Sequence, residues 1–96
     1  MAEEVQEVTT PDMTEFLDTV AERIQKVREF RGMSRRELGE AIGLSGNSAN
    51  TSVYAIEVGG NSPRLGTIYK LAKALDVSPG FLLDGGELKV AKSSNF

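Results

Sequence analysis

The sequence predicts an all-α fold, a compact bundle of five short helices. Three observations carry that prediction. Apolar residues recur at helical spacing in separate segments. Most segments open on a polar cap or a Pro and close at a Gly. No run shows a persuasive strand pattern, and there is no internal repeat. Ninety-six residues, 40% of them hydrophobic, suit one domain with a small core.

Residues 1–9 are polar and acidic without a period and read as disordered, so an acidic N-terminal segment of 1–10 is expected. Thr10-Pro11-Asp12 is a start signal: a hydroxyl cap, Pro at the first helical position and an acid in the first turn. Phe16, Leu17, Val20, Ile24 and Val27 then share one face, which predicts a helix from about Pro11 to Phe30, stopping near Gly32. Ser34 caps the second helix, Arg35 to Ile42, and Glu37 completes a capping box. Leu38, Ala41 and Ile42 face inward. Gly39 costs about 1 kcal/mol against Ala inside a helix, which makes sense if another helix crosses close by. Gly43 ends this helix with positive φ.

A polar loop and a third helix ending at Gly59-Gly60 follow. Asn61-Ser62-Pro63 starts a fourth, with Leu65, Ile68, Leu71, Ala72 and Leu75 inward. Val77-Ser78-Pro79 starts a fifth around Phe81-Leu82-Leu83, ended by Asp84-Gly85-Gly86. The domain is therefore expected at 11–85, with 86–96 a flexible tail whose ELKVA could add to a sheet edge or a dimer contact.

With no Cys and no His, the chain has no disulfide, thiol nucleophile, thiolate or imidazole metal site, or imidazole acid–base chemistry. No cofactor or metal is expected, and nothing supports an enzyme. No apolar run reaches membrane-spanning length, the acidic start is no signal peptide, and a small domain without disulfides suits the cytoplasm. The net charge is −3 but unevenly spread. Residues 1–22 hold seven acids and no base; 23–96 hold seven acids and all eleven bases, a balance of +4. Six bases lie between Arg23 and Arg36, a local basic face of the kind phosphate binding needs, or else a solvated charged helix.

From Ser34 to Gly59, helix, Gly-bearing turn and second helix follow the order of a helix-turn-helix. More widely, Arg28, Gly32-Met33-Ser34, Glu37-Leu38, Gly43-Leu44-Ser45, Val53, Ile56-Glu57, Gly59, Pro63-Arg64, Leu71 to Ser78 and Leu82-Leu83 form an ordered set over Arg23–Gly85. That set resembles the Cro/phage-repressor type of helix-turn-helix, also called the xenobiotic-response-element type. The resemblance implies a lambda-repressor-like five-helix domain, sequence-specific binding to double-stranded DNA with the third helix in the major groove, and usually a homodimer on a near-palindromic operator. Three departures stand out. Arg35 replaces a common Gln, Gly39 a common Ala, and Ser45 to Glu57 is about four residues longer than the family pattern. Four residues are close to one helical turn. Either the turn is a longer loop or the helix gains a turn at its front, with Ser45 as cap and Ala49, Val53 and Ile56 in one stripe. Gly46, Asn47 and Ser48 are poor first-turn residues, which favours the loop, with Asn47 or Ser48 as N-cap.

Within the fold so implied, anchoring Val53 and Ile56 in the core turns Asn50, Thr51, Ser52 and Ala55 toward base edges. Backbone phosphate contacts are expected from Ser34, Arg35, Tyr54, Asn61 and Arg64. By the same resemblance, Arg28 and Glu57 form a buried structural ion pair that orients the third helix. The expected function is a DNA-binding transcriptional regulator, most simply a repressor. The competing reading is an antitoxin that binds both DNA and a protein toxin. A relic of the fold that only dimerises is a further possibility. A dimer would use the fifth helix (Phe81, Leu82) or the first (Met13, Phe16, Leu17).

Overall fold

The computed structural model describes residues 10–85. The expectations for the tail, and for the acidic start up to residue 9, therefore lie outside the described residues. Five helices are present in chain order: α1 (Met13–Phe30), α2 (Arg35–Ala41), α3 (Gly46–Glu57), α4 (Leu65–Leu75) and α5 (Pro79–Asp84). No strand occurs among the described residues.

Local chemistry accounts for most of the boundaries, with two shifts. α1 begins at Met13, not Pro11, because Asp12 is its cap: the Asp12 carboxylate accepts from Glu15 N–H at 2.9 Å. A carboxylate at that position also suits the positive end of the helix dipole. α2 carries the expected capping box. The Ser34 hydroxyl accepts from Glu37 N–H at 2.9 Å, and Glu37 Oε1 accepts from Ser34 N–H at 2.8 Å. Gly43, at φ +103°, closes α2 in a Schellman turn, with Leu44 N–H donating to Gly39 C=O and Gly43 N–H to Glu40 C=O. α4 starts at Leu65 with Arg64 as N-cap, later than Asn61-Ser62-Pro63 suggests. Asn61 serves the preceding helix instead: its side-chain amide donates to Ala55 C=O, one of the orphan carbonyls at the end of α3. α5 follows its signal, with Ser78 as cap and Pro79 in the first turn.

The larger correction concerns residues 46–49, which form a helical turn at the front of α3 and not a loop. Ser45 occupies the N-cap position without a side-chain cap bond. Tertiary packing outweighs the weak propensity of Gly, Asn and Ser here, because Ala49 is fully buried against α2. Gly46 contributes in a different way: its φ of +60° lets the chain enter the helix from a direction costly for residues with a Cβ.

The core is one cluster. Ile24 of α1, Leu38 of α2, Val53 of α3, Leu71 and Leu75 of α4 and Leu82 of α5 are wholly buried, with Val20 and Ile68 nearly so. Every helix thus contributes to a shared centre. Because Leu82 lies inside that centre and Phe81 packs against it, the α5 surface expected for dimer contact is largely taken up within one chain.

Candidate nucleic-acid interface

α2 and α3 form a unit fixed at both ends. At one end their backbones touch. A Cβ added to Gly39 would sit 2.6 Å from Ala49 Cα, so only glycine permits this crossing. At the other end the Glu57 carboxylate, 1% exposed, gathers two arginines. Arg28 of α1 donates Nε to Oε2 at 2.6 Å and Nη2 to Oε1 at 3.1 Å. Arg35 of α2 donates Nε to Oε1 at 2.9 Å. Arg28 also gives Nη1 to Met33 C=O at 2.8 Å. The hydrogen bonds to Glu57 hold the Arg28 guanidinium above its ordinary pKa, against the opposing effect of burial; the Coulomb attraction of Glu57 and Glu29 acts in the same direction. The cluster places one carboxylate between two guanidinium groups and ties three helices together.

Two further arginines of the 23–36 stretch do internal work of another kind. Arg31 donates Nε to Leu75 C=O at 2.9 Å and Nη2 to Asp76 C=O at 3.1 Å, capping the negative end of α4. Arg23 reaches Leu82 C=O near the end of α5 at 3.4 Å. Arg28 belongs to the cluster just described. Lys26 and Arg36 pair with Glu22 and Glu40 one turn away on the surface, each pair worth about 0.3–0.5 kcal/mol. The basic face expected from that stretch is thus mostly occupied. Physically, the carbonyl ends of helices attract guanidinium groups as phosphates do.

Among the described residues, the remaining exposed cations lie at the start of and along α4. Arg64, Lys70 and Lys73 are exposed and make no hydrogen bond or ion pair with a described residue. Arg64 and Lys70, with Asn61, Ser62 and Thr67, line one side of a cleft of about 460 Å³; Ser52, Ala55 and Ile56 of α3 line the other. Sequence reasoning missed Lys70, although Arg64, Thr67 and Lys70 recur at i+3 spacing and so share a face of α4.

The expected base-facing residues take different positions. Thr51 is exposed opposite the buried stripe of Ala49, Val53 and Glu57, and Ala55 is half-buried on the same outward face. Ser52 turns toward the cleft. Asn50 is exposed on the flank of α3. Among the expected phosphate contacts, Ser34 is exposed but spends its hydroxyl oxygen on the capping box. Arg35 keeps 34% of its side chain exposed while bound to Glu57, and its guanidinium lies over the Tyr54 ring, 5.3 Å from the centroid. Tyr54 is half-exposed beneath it. Arg64 and Asn61 flank the cleft mouth.

Among the described residues, no group of three or more acidic side chains could hold a metal ion, and no helix is long and apolar enough to cross a membrane. Comparison with known proteins adds an independent line. Residues 24–82 match the family model described as helix-turn-helix. A similar protein is an uncharacterized HTH-type transcriptional regulator of Sinorhizobium fredii (strain NBRC 101917 / NGR234), 35% identical over 65 residues. The alignment covers 68% of this chain and 43% of that relative, so the chain spans less than half the relative's length. No solved structure matches the chain.

Proposed function

Because the chain belongs to the helix-turn-helix family, we propose that it is a sequence-specific DNA-binding transcriptional regulator acting in the cytoplasm. In this reading residues 11–85 are the DNA-binding domain, α3 enters the major groove, and two copies bind a near-palindromic operator as a repressor. Two half-sites one DNA turn apart, about 34 Å between centres, call for a dimer.

The observation that carries the proposal is the outward face of α3. It is solvent-facing, carries no charged side chain, and is held by the core, the Glu57 cluster and the Gly39–Ala49 contact. A fixed, neutral, hydrogen-bonding helix face suits base edges better than phosphates. Thr51 and Ala55 are its central residues, with Asn50 and Ser52 on its flanks. The phosphate contacts belong to its borders. Ser34, Arg35 and Tyr54 stand on one side, and Asn61 and Arg64 on the other, joined by Lys70. Arg28 and Glu57 orient the reading helix from behind.

Selection of bound sequences from a pool of random duplexes, followed by gel shifts at several salt concentrations, tests this reading. An enriched motif and a steep fall of affinity with salt are expected. Absence of both would overturn it.

A further inference from the structure

We propose that the added first turn of α3 extends the base-reading face, with Asn47 and Ser48 as specificity-determining residues. The proposal rests on the DNA-binding reading above. It adds a site residue pair to that reading and a length to the sequence recognised.

Four observations carry it. The first is helical phase. Successive residues turn by about 100°, so Asn47 and Ser48 fall on the side of Thr51 and Ala55, away from buried Ala49 and Val53. The second is exposure: Asn47, Ser48 and Thr51 are all solvent-exposed, while Ala49 between them is fully buried. The third is availability. Neither the Asn47 amide nor the Ser48 hydroxyl is hydrogen-bonded to a described residue, and the capping task that would have used them is absent. The fourth is fixation. The turn is pressed backbone to backbone on α2 through Gly39 and Ala49, so its outward side chains project from a rigid base.

The chemistry follows. Asn can pair its amide with the N6 and N7 of adenine, and Ser can donate or accept. The N-terminal residues of a recognition helix are the ones that meet base edges, and in this chain those residues are now 47 and 48. Asn47 stands about 6 Å along the helix ahead of Thr51, at 1.5 Å per residue. That is roughly two base-pair steps of 3.4 Å. Each half-site should therefore be read over one or two more base pairs than Thr51 and Ala55 alone would specify.

The test repeats the random-duplex selection on the full chain and its N47A, S48A and T51A variants, with circular dichroism as a folding control. Alanine raises helix propensity at 47 and 48, so these variants keep α3. Under the proposal, N47A loses base preference at one edge of each half-site by about tenfold, and the rest of the motif is unchanged. If N47A and S48A both select the wild-type motif at wild-type affinity while T51A alters it, the proposal is overturned and the DNA-binding reading stands. If the wild-type chain enriches no motif, the DNA-binding reading itself fails, and this proposal with it.

Discussion

At the scale of single residues, Glu57 has the largest expected consequence. Its carboxylate is 1% exposed and compensates Arg28, which is almost as deeply buried, as well as Arg35. Removing it strands a guanidinium that cannot shed its charge. Glu57→Ala should therefore destabilise the fold by about 3 kcal/mol or more. Urea melts of mutant and wild type with the same midpoint would contradict this. Asp76 is the opposite case. It takes φ +61° at the end of α4, a region costly for residues with a Cβ. Arg31 binds its backbone carbonyl and not its carboxylate, so the side chain can be dispensed with. Asp76→Gly should stabilise by about 0.5–1 kcal/mol, the relief of strain exceeding the added freedom of the unfolded chain. A thermal melt that fell would argue against it. The Arg28–Glu57 pairing was legible through a resemblance spread along the chain. The third member was not, because Arg35 meets Glu57 only through the crossing of α2 on α3, which no local spacing encodes.

At the scale of elements, helix order and most ends were readable because the caps are local chemistry. Ser34 with Glu37 and Ser78 with Pro79 set their helices within one turn of sequence. The front of α3 departs from the loop its residues favour for a physical reason. Gly46, Asn47 and Ser48 are weak formers judged alone, but Ala49 behind them is a core residue, and its burial decides the conformation. The clue lay elsewhere in the chain, in the glycine of α2. Gly39→Ala tests this dependence. On an exposed helix the change would gain about 1 kcal/mol. Here the methyl meets Ala49 Cα at 2.6 Å, backbone that cannot rotate away. Overpacking of this kind costs about 1–3 kcal/mol, so the variant should be no more stable than wild type and is expected to be less so. A clear rise in the urea midpoint would show that α2 and α3 are not held at this distance.

For the whole molecule, the charge count reads differently once partners are known. The net −3 and the basic stretch at 23–36 were both visible in the sequence. What the count could not reveal is that helix ends and Glu57 occupy most of that stretch, leaving Arg64, Lys70 and Lys73, at the start of and along α4, as the exposed cations without a hydrogen bond or ion pair among the described residues. Arg64→Ala should weaken DNA binding about equally across sequences and reduce the slope of log affinity against log salt by about one. A loss confined to one motif position would reassign Arg64 to base reading. Deleting residues 1–10, which carry three glutamates and no base, should tighten non-specific binding at low salt; unchanged affinity would count against competition between this segment and DNA. The close crossing of Gly39 and Ala49 also couples two positions ten residues apart. A methyl group at 39 and the helical turn that carries Ala49 claim the same space, so the side chain at one place on α2 and the length of α3 cannot vary independently in this fold.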